Sequence, residues 1–407
     1  MKIAIPHNFR YQLLFLLSIA APYLDNFELT ISVWSFAFLV SVSRSYSLSL
    51  IKLIVPFLAV LTIAIFVSFF YIDYQKYFII RDIVYLCKPI IGFLLGYQLC
   101  KRNYENAFRL IVNTGVFIAV CHIIILFFAI IVFKASTVAD IRLYAGYFSD
   151  YEIYVFVIIL FHKKFQLNYS PKKFLILAVI VGFSALMYLA RTNFIQFIIL
   201  FLALKGYFVL NKKSVTIFLS IITTSVIGYF IVLSLNPRRD AEGFEGFLYK
   251  IKVAPLEPFK TKINREDYKD FNDNYRSYEN IMTIRQVTRD GWVPTVFGKG
   301  IGSQIDLKQE VGLGDMKLRF ISILHNGFMI VFLKSGLLGI FIFLSTIFYF
   351  FVRVRSDNEI IHYINLLFIG TGFFMIISNW VFLGFYNLTE TKTILIGFLI
   401  AYREKFK

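Results

Sequence analysis

The sequence predicts an all-α, polytopic membrane protein: a helical bundle of about twelve transmembrane helices with one large external loop. Of its 407 residues, 58% are hydrophobic and only 16% are charged, and long apolar runs recur along the chain. So little polar surface cannot coat a soluble globule. Because a helix satisfies every backbone polar group within its own segment, each run is predicted to form a helix in lipid.

The apolar runs divide the chain into three parts. Residues 1–234 carry the first nine spans, residues 235–324 form the external loop, and residues 325–407 carry the last three spans. The runs lie near residues 11–24, 29–43, 53–71, 83–99, 107–133, 151–162, 174–190, 192–210, 214–234, 325–351, 360–384 and 391–403. Lys2 and Arg10 precede the first run as in a signal peptide, but eleven further runs favour an uncleaved first helix.

Basic residues are unevenly distributed between the two predicted faces. With a cytoplasmic N-terminus, nineteen Lys or Arg residues fall in inner segments and six in short outer loops. Cytoplasmic loops of membrane proteins carry this excess, so both termini are predicted to be cytoplasmic. The same bias explains much of the net charge of +17, which therefore does not indicate a nucleic-acid partner. Cys87, Cys100 and Cys121 lie within predicted spans or directly at the end of one, so no disulfide framework is expected.

The external loop contains a predicted helix. The loop is hydrophilic, with fifteen Lys or Arg and thirteen Asp or Glu residues, and a connection of this length is usually functional or disordered. Within it, residues 275–290 carry Ile281, Ile284 and Val287 at three-residue spacing. This spacing predicts a helix with one apolar stripe, which would lie on the membrane surface or on the bundle.

One histidine is predicted to reach the outer face. His325 opens the tenth span, within Leu324-His325-Asn326-Gly327, and Gly336 and Gly339 follow it. The structural alternative is a polar helix start with glycines that let helices pack closely. The functional interpretation is a base, since an imidazole titrates near neutrality and can take a proton from a hydroxyl.

Cations collect at the same predicted face. Arg191 stands at a short turn between two apolar runs, where arginine is otherwise depleted; the alternative is an interfacial cation that snorkels to the surface. Lys88 lies inside a span, and an intramembrane cation is a functional-site hypothesis by default. The candidate cations are Arg81, Lys88, Arg142, Arg191, Arg276, Arg285 and Arg289.

Several arginines and one histidine suit a substrate whose leaving group is a diphosphate. Guanidinium groups bind phosphate in a bidentate manner and stay charged. The outer segments contain no cluster with metal-ligand spacing, so no metal or other cofactor is expected. The glycines from Gly298 to Gly302 lack the strand and helix that flank a phosphate-binding loop, which favours a tight turn.

These motifs resemble the signature of the O-antigen ligase and O-antigen polymerase superfamily. The segment from His325 to Gly339 has the family's spacing of His, Asn and two glycines, and residues 297–303 are similar to its preceding glycine turn. Arg191-Thr192 and residues 142–148 resemble two further segments, and the matches cover about half of the chain. Arg276 fits the spacing of the family's loop arginine best, although Trp292 comes later than the usual aromatic.

The resemblance implies an inverting, metal-independent glycosyltransferase of the bacterial inner membrane. It would transfer a glycan from an undecaprenyl-diphosphate carrier to an acceptor at the periplasmic face. The resemblance assigns catalytic roles to His325, Asn326, Arg191 and Arg276, and substrate-binding roles to Arg81, Lys88, Arg142, Arg285 and Arg289. The partners implied are the lipid-linked oligosaccharide, the bilayer, a chain-length regulator and a flippase.

The sequence leaves the exact activity open. The many Phe, Ile and Tyr residues favour a polysaccharide polymerase over a ligase that attaches the glycan to lipid A core. A metal-dependent glycosyltransferase would use carboxylates such as Asp25 and Glu28 in the first outer loop, although ordinary solvation explains both more simply. A transporter or flippase would be expected to show inverted repeats with interrupted helices, and the sequence has no two matching halves.

Overall fold

The computed structural model describes residues 7–71, 74–135, 138–146, 148–208, 212–238, 243–253, 260–313, 316–387 and 389–406. Lys2, used in the signal-peptide argument, lies outside the described residues. So does Tyr147, which belongs to the segment that resembles the family after Arg142.

Helices dominate the fold and account for 75% of it, which confirms the all-α class. The seventeen α-helices of the described residues are α1 (His7–Ala20), α2 (Phe27–Ser41), α3 (Leu48–Ser68), α4 (Lys76–Lys101), α5 (Ala107–Ile131), α6 (Val138–Ala145), α7 (Asp150–Leu160), α8 (Pro171–Met187), α9 (Arg191–Leu204), α10 (Lys212–Leu235), α11 (Gly243–Val253), α12 (Tyr268–Asp273), α13 (Tyr275–Arg289), α14 (Trp292–Phe297), α15 (Gly327–Tyr349), α16 (Glu359–Val381) and α17 (Lys392–Lys405). One antiparallel hairpin, β1 (Ile305–Leu313) and β2 (Met316–Ile321), was not predicted.

A helix covers each of the twelve apolar runs, namely α1 to α5, α7 to α10 and α15 to α17. By length and hydropathy, four helices of the described chain could cross a membrane: α3, α5 with the turn before it, α15 and α16. Several helices also expose large apolar side chains, such as Phe36, Phe66 and Phe341, on their outer surfaces. Such surfaces suit lipid, so these helices indicate a membrane-associated protein.

Helix α4 runs between the two ends of the bundle. Near its start, the carboxylate of Asp82 accepts a hydrogen bond from the Gly302 amide, in the loop that leads to α15 (2.8 Å). Lys101 lies nineteen residues further on, about 28 Å along the helix axis. At that level the Arg403 side chain of α17 donates to the Tyr349 hydroxyl at the end of α15 (3.1 Å). We call these two regions the His325 end and the Lys101 end.

The core of the bundle is built on close helix contacts. Helices α4 and α17 are neighbours, and Gly92, Gly96 and Gly397 face the opposite helix so closely that any of them as alanine would overlap it. Small residues allow this approach. Around this contact the rings of Phe57, Phe93 and Phe385 meet edge to face or tilted, with centroids 5.5 Å apart. The core therefore lies at α3, α4 and α17.

Helix α13 confirms the helix predicted over residues 275–290, but the three residues of its predicted apolar stripe do not share one buried face. Val287 is fully buried, whereas Ile284 is 44% exposed. The buried face instead includes Tyr278, Glu279 and Met282, because the helix packs against β1 and the start of α15. A strict three-residue spacing drifts around a helix of 3.6 residues per turn, which explains the error.

Candidate functional site

His325 lies at the junction between the hairpin and helix α15. The helix begins at Gly327, and Asn326 is its N-cap: the Asn326 side-chain oxygen accepts hydrogen bonds from the amides of Phe328 (2.9 Å) and Met329 (3.2 Å). Asn is among the best N-cap residues because it satisfies these otherwise unpaired donors. The cap fixes the backbone next to His325, so Asn326 has a structural role here, and its catalytic role stays a prediction.

The imidazole of His325 is held by a buried carboxylate. Its Nδ1 lies 3.0 Å from Oε1 and 3.1 Å from Oε2 of Glu279, and the His325 backbone amide donates to Oε2 at 3.0 Å. The Glu279 side chain is 1% exposed, whereas that of His325 is 40% exposed. A carboxylate at Nδ1 selects the tautomer that carries its proton there. In that tautomer Nε2 carries no proton, as a general base requires.

The aromatic ring of Tyr275 packs against the imidazole of His325. It meets the His325 ring edge to face, with centroids 5.7 Å apart. Burial raises the pKa of Tyr275, and the neighbouring Glu279 carboxylate raises it further, so the phenol stays protonated. Tyr275 lies one turn before Glu279, so a single helix supplies both groups. Neither Glu279 nor Tyr275 was predicted from the sequence as a residue of the site.

The glycine turn before the hairpin docks against a break in α15. Gly298, Gly300 and Gly302 all have positive φ (80°, 78° and 83°), which confirms the predicted tight turn. In α15, Gly336 has φ 66° and ψ −162°, outside the helical region. This break frees backbone carbonyls, and the turn satisfies two of them: the amide of Lys299 donates to Leu333 O (2.8 Å) and that of Gly300 to Lys334 O (3.1 Å). Gly336 thus marks a loop-docking point, not the helix-packing face of the structural alternative.

A buried ion pair fixes the same turn. Lys334 Nζ lies 2.6 Å from Asp82 Oδ2, and the two side chains are 2% and 3% exposed. Lys334 also donates to the carbonyl of Ser303 (2.6 Å), and Asp82 accepts the Gly302 amide. The pair therefore connects α4, α15 and the glycine turn of the loop near the His325 end of the bundle. Asp82 and Lys334 are ionisable residues in apolar helices, which is a signal that the sequence contains. Neither was predicted from the sequence as a member of a functional or structural pair.

Substituting Gly298 with alanine should destabilise the protein, because a Cβ there would lie 2.5 Å from the Ser335 amide nitrogen. We expect the free energy of unfolding to fall by about 3 kcal/mol, from the left-handed φ and the overlap together. Thermal melting in detergent measures the change. Gly312→Ala is the control, since a Cβ on this strand residue meets open space. Equal melting temperatures for the two variants would contradict the docking described here.

The three loop arginines of α13 differ in burial and in the side of the helix on which they lie relative to Glu279. Arg276 is three residues before Glu279, which places it on nearly the same side of the helix, and it is half-buried. Arg285 and Arg289 are on the exposed face. Of the three, Arg276 is best placed to approach a group bound at His325.

Arg81 lies next to the buried ion pair. Its guanidinium carbon is 4.8 Å from the ring centroid of Phe78 and 5.6 Å from that of Tyr77, both near the start of α4. Its Nε is buried and has no hydrogen-bond partner among the described residues. Arg142 lies in α6 and is also half-buried.

Arg191 begins α9 and is exposed. Its level in the bundle follows from the packing of α9 against α16, where Gly370 lies against Leu200 and Ala203. Arg191 is twelve residues before Ala203 and Phe382 is twelve after Gly370, so both lie about 18 Å from this contact along their helices. Phe382 O accepts a hydrogen bond from the Gly327 amide (3.3 Å). Lys205, after the end of α9, lies 5.5 Å from the Phe161 ring centroid, and Lys164 close by pairs with Glu359 at the start of α16, so the two helices run antiparallel. Arg191 and His325 therefore lie at the same end of the bundle.

Lys88 belongs to a separate buried cluster. Its Nζ donates to the carbonyls of Asn387 and Glu390, and the side chain is fully buried. Close by, Lys392 pairs with Asp150 at 3.0 Å and lies 3.7 Å from the Glu390 carboxylate. The four charges balance, as buried charges must. The protein itself thus engages Lys88, and contact with a substrate would require displacement of these partners.

The carboxylates of the metal-dependent alternative lie around the start of α2. Asp25, in the short loop before α2, and Glu28, in the first turn of α2, are both exposed. In the described part of the chain, no group of three His, Cys, Asp or Glu side chains could hold a metal ion.

No protein-family model, curated protein or solved structure matches the chain. The functional argument therefore rests on the site itself: an accessible imidazole, a buried carboxylate that orients it, and arginines at the same end of the bundle.

Proposed function

We propose that the protein is an inverting, metal-independent glycosyltransferase that polymerises a bacterial surface polysaccharide, O-antigen or capsule, from undecaprenyl-diphosphate-linked units. One observation carries the proposal: His325 is held at Nδ1 by the buried Glu279, while its ring is 40% exposed. That arrangement leaves Nε2 free to act as a base toward a bound hydroxyl. The resemblance of the motif around His325 to the polymerase and ligase superfamily supplies the substrate class.

In the proposed reaction, Nε2 of His325 takes the proton of an acceptor sugar hydroxyl. The hydroxyl oxygen attacks the anomeric carbon of the donor from the side opposite the diphosphate, and the bond to the diphosphate oxygen breaks with inversion. Glu279 stabilises the imidazolium that forms, as a carboxylate partner does in catalytic triads. Arg276 and Arg191 would bind the departing diphosphate, and fixed guanidinium groups suit its developing charge.

The proposal includes a membrane topology. Twelve helices would span the bacterial inner membrane, both termini would be cytoplasmic, and the segment between α10 and α15 would face the periplasm. Support comes from the excess of basic residues in the predicted inner segments and from the match between apolar runs and helices. In this orientation the His325 end meets lipid-linked substrate at the periplasmic face.

A transporter or flippase is the second candidate. It is favoured by the buried cluster of Lys88, Asp150, Glu390 and Lys392, since ionisable groups inside a membrane commonly mark ion or substrate pathways. The charges in this cluster are mutually paired, however, and the accessible imidazole lies elsewhere.

Surface polysaccharide on a gel separates the candidates in a gene-deletion strain. We expect the deletion to leave lipid A core carrying a single repeat unit, the product of a strain without polymerase. Bare core with polymer retained on its lipid carrier would indicate a ligase instead. Bare core without external polymer would indicate a flippase.

Complementation then tests the site. Wild-type protein and a His362→Ala variant, which alters an exposed histidine at the Lys101 end, should restore the full ladder. His325→Ala should leave the pattern of the deletion. A wild-type ladder from a His325→Ala protein expressed at normal level would contradict the proposed base.

A further inference from the structure

We propose that a cavity at the Lys101 end binds the phosphate head group of an anionic phospholipid. The cavity has a volume of about 150 Å³ and lies where α1, α4, α5 and α17 have their ends. Three cations line it, Lys101, Arg102 and Lys405, against one carboxylate, Glu105. Gln12 and Asn106 add neutral hydrogen-bonding groups. This proposal is independent of the proposed transferase activity.

The three cations are held in place without a counterion. Lys101 Nζ donates to the carbonyl of Ser45 (2.9 Å) and to its hydroxyl (3.1 Å). The Arg102 guanidinium lies 5.3 Å from the ring centroid of Tyr11, and Lys405 Nζ lies 4.2 Å from that of Tyr104. Among the described residues, none of the three cations has a carboxylate within 4.0 Å. Aromatic rings orient a cation but leave N–H donors available, so the cavity presents a net positive charge, three cations against the Glu105 carboxylate.

The position of the cavity favours a lipid as the source of the anion. Lys101 lies about 28 Å along α4 from Asp82, close to the thickness of the hydrocarbon core. The cavity would therefore lie at head-group level, and basic pockets between helix ends bind anionic head groups. The dipoles of α4 and α17 favour cations near their C-terminal ends. That effect does not account for an open cavity between the three cations.

Binding of phosphatidylglycerol to the purified full-length chain tests the proposal. Delipidated protein in detergent is titrated with phosphatidylglycerol, phosphatidylcholine or inorganic phosphate, and thermal melting and native mass spectrometry report binding. We expect phosphatidylglycerol to bind and to raise the melting temperature. In Lys101→Gln/Arg102→Gln its affinity should fall about 30-fold, at roughly 1 kcal/mol per basic residue near an anionic lipid.

Two further variants distinguish binding in the cavity from a general effect of surface charge. Arg353→Gln/Arg355→Gln removes the same charge from exposed residues of the loop after α15 and should change the affinity less than about twofold. Asn106→Glu keeps all three cations and adds a negative charge to the cavity, so it should also weaken binding. Equal losses in both double variants would overturn the site in favour of general surface charge. Equal stabilisation by inorganic phosphate alone would overturn the lipid as ligand, and so would equal binding of phosphatidylcholine.

Discussion

A His325→Ala variant is expected to transfer glycan about 100- to 10,000-fold more slowly than the wild type, the range that a general base supplies. The reason is the position of the ring, which is 40% exposed and is oriented by Glu279. Alanine removes the proton acceptor but leaves the Asn326 cap of α15 intact. The measurement uses protein reconstituted in vesicles with an undecaprenyl-diphosphate-linked oligosaccharide as substrate.

Glu279→Gln should lower the rate by a smaller factor, about 10- to 100-fold, as is common for groups that orient a functional histidine. Glutamine has nearly the same shape and can still accept a hydrogen bond from Nδ1, but it cannot stabilise the imidazolium. We therefore expect kcat to fall while KM for the lipid-linked donor stays near the wild-type value. A purely structural role for Glu279 would instead lower the melting temperature and the amount of active protein.

His362→Ala is the matched control, because it removes an exposed imidazole from the opposite end of the bundle. It should retain the wild-type rate. EDTA should leave all rates unchanged, whereas activity that is lost with EDTA and restored by a divalent ion would favour the carboxylate mechanism at Asp25 and Glu28. A His325→Ala enzyme with wild-type kcat would remove the histidine from the mechanism.

Much of the fold was predictable because its dominant signal is local. An apolar run in lipid must satisfy its own backbone, so each of the twelve runs became a helix. The hairpin was missed although Ile305, Leu307 and Val311 are all buried and occupy alternate positions of one strand. Two short strands inside a long polar loop give a weak alternating signal. The break at Gly336 depends on docking with Gly298, a contact between distant segments that spacing alone does not reveal.

The candidate site was only half predictable. His325 stood out because its neighbours in the chain form a recognisable motif, whereas Glu279 lies forty-six residues earlier and becomes its partner only through the fold. The prediction for α13 used apolar spacing and so overlooked a buried carboxylate between Tyr278 and Met282. Lys88 was chosen because a cation in a span is unusual, but its partners come from the segment before α17. The sequence reveals unusual residues such as His325 and Lys88, but it does not reveal the distant residues that contact them in the fold.

Lys334→Met should be the most destabilising single change considered for this chain, with a loss of about 3–5 kcal/mol in the free energy of unfolding. Methionine fills most of the space of the lysine but leaves Asp82 buried without its cation. It also removes the hydrogen bond to Ser303 that holds the glycine turn. Thermal or denaturant unfolding in detergent measures the effect.

Two comparisons separate the lost ion pair from a general effect of removing lysine. Lys164→Met makes the same substitution in the exposed Lys164–Glu359 pair (44% and 60% exposed), and should cost less than about 1 kcal/mol. Asp82→Leu/Lys334→Met removes both buried charges, so it should recover much of the loss, because the penalty of Lys334→Met comes mainly from the carboxylate left unpaired. Recovery should be incomplete, since the Gly302 amide loses its acceptor. If the double variant were less stable than Lys334→Met alone, the carboxylate would be stabilising without its lysine, and the ion pair would not be what holds the turn below His325.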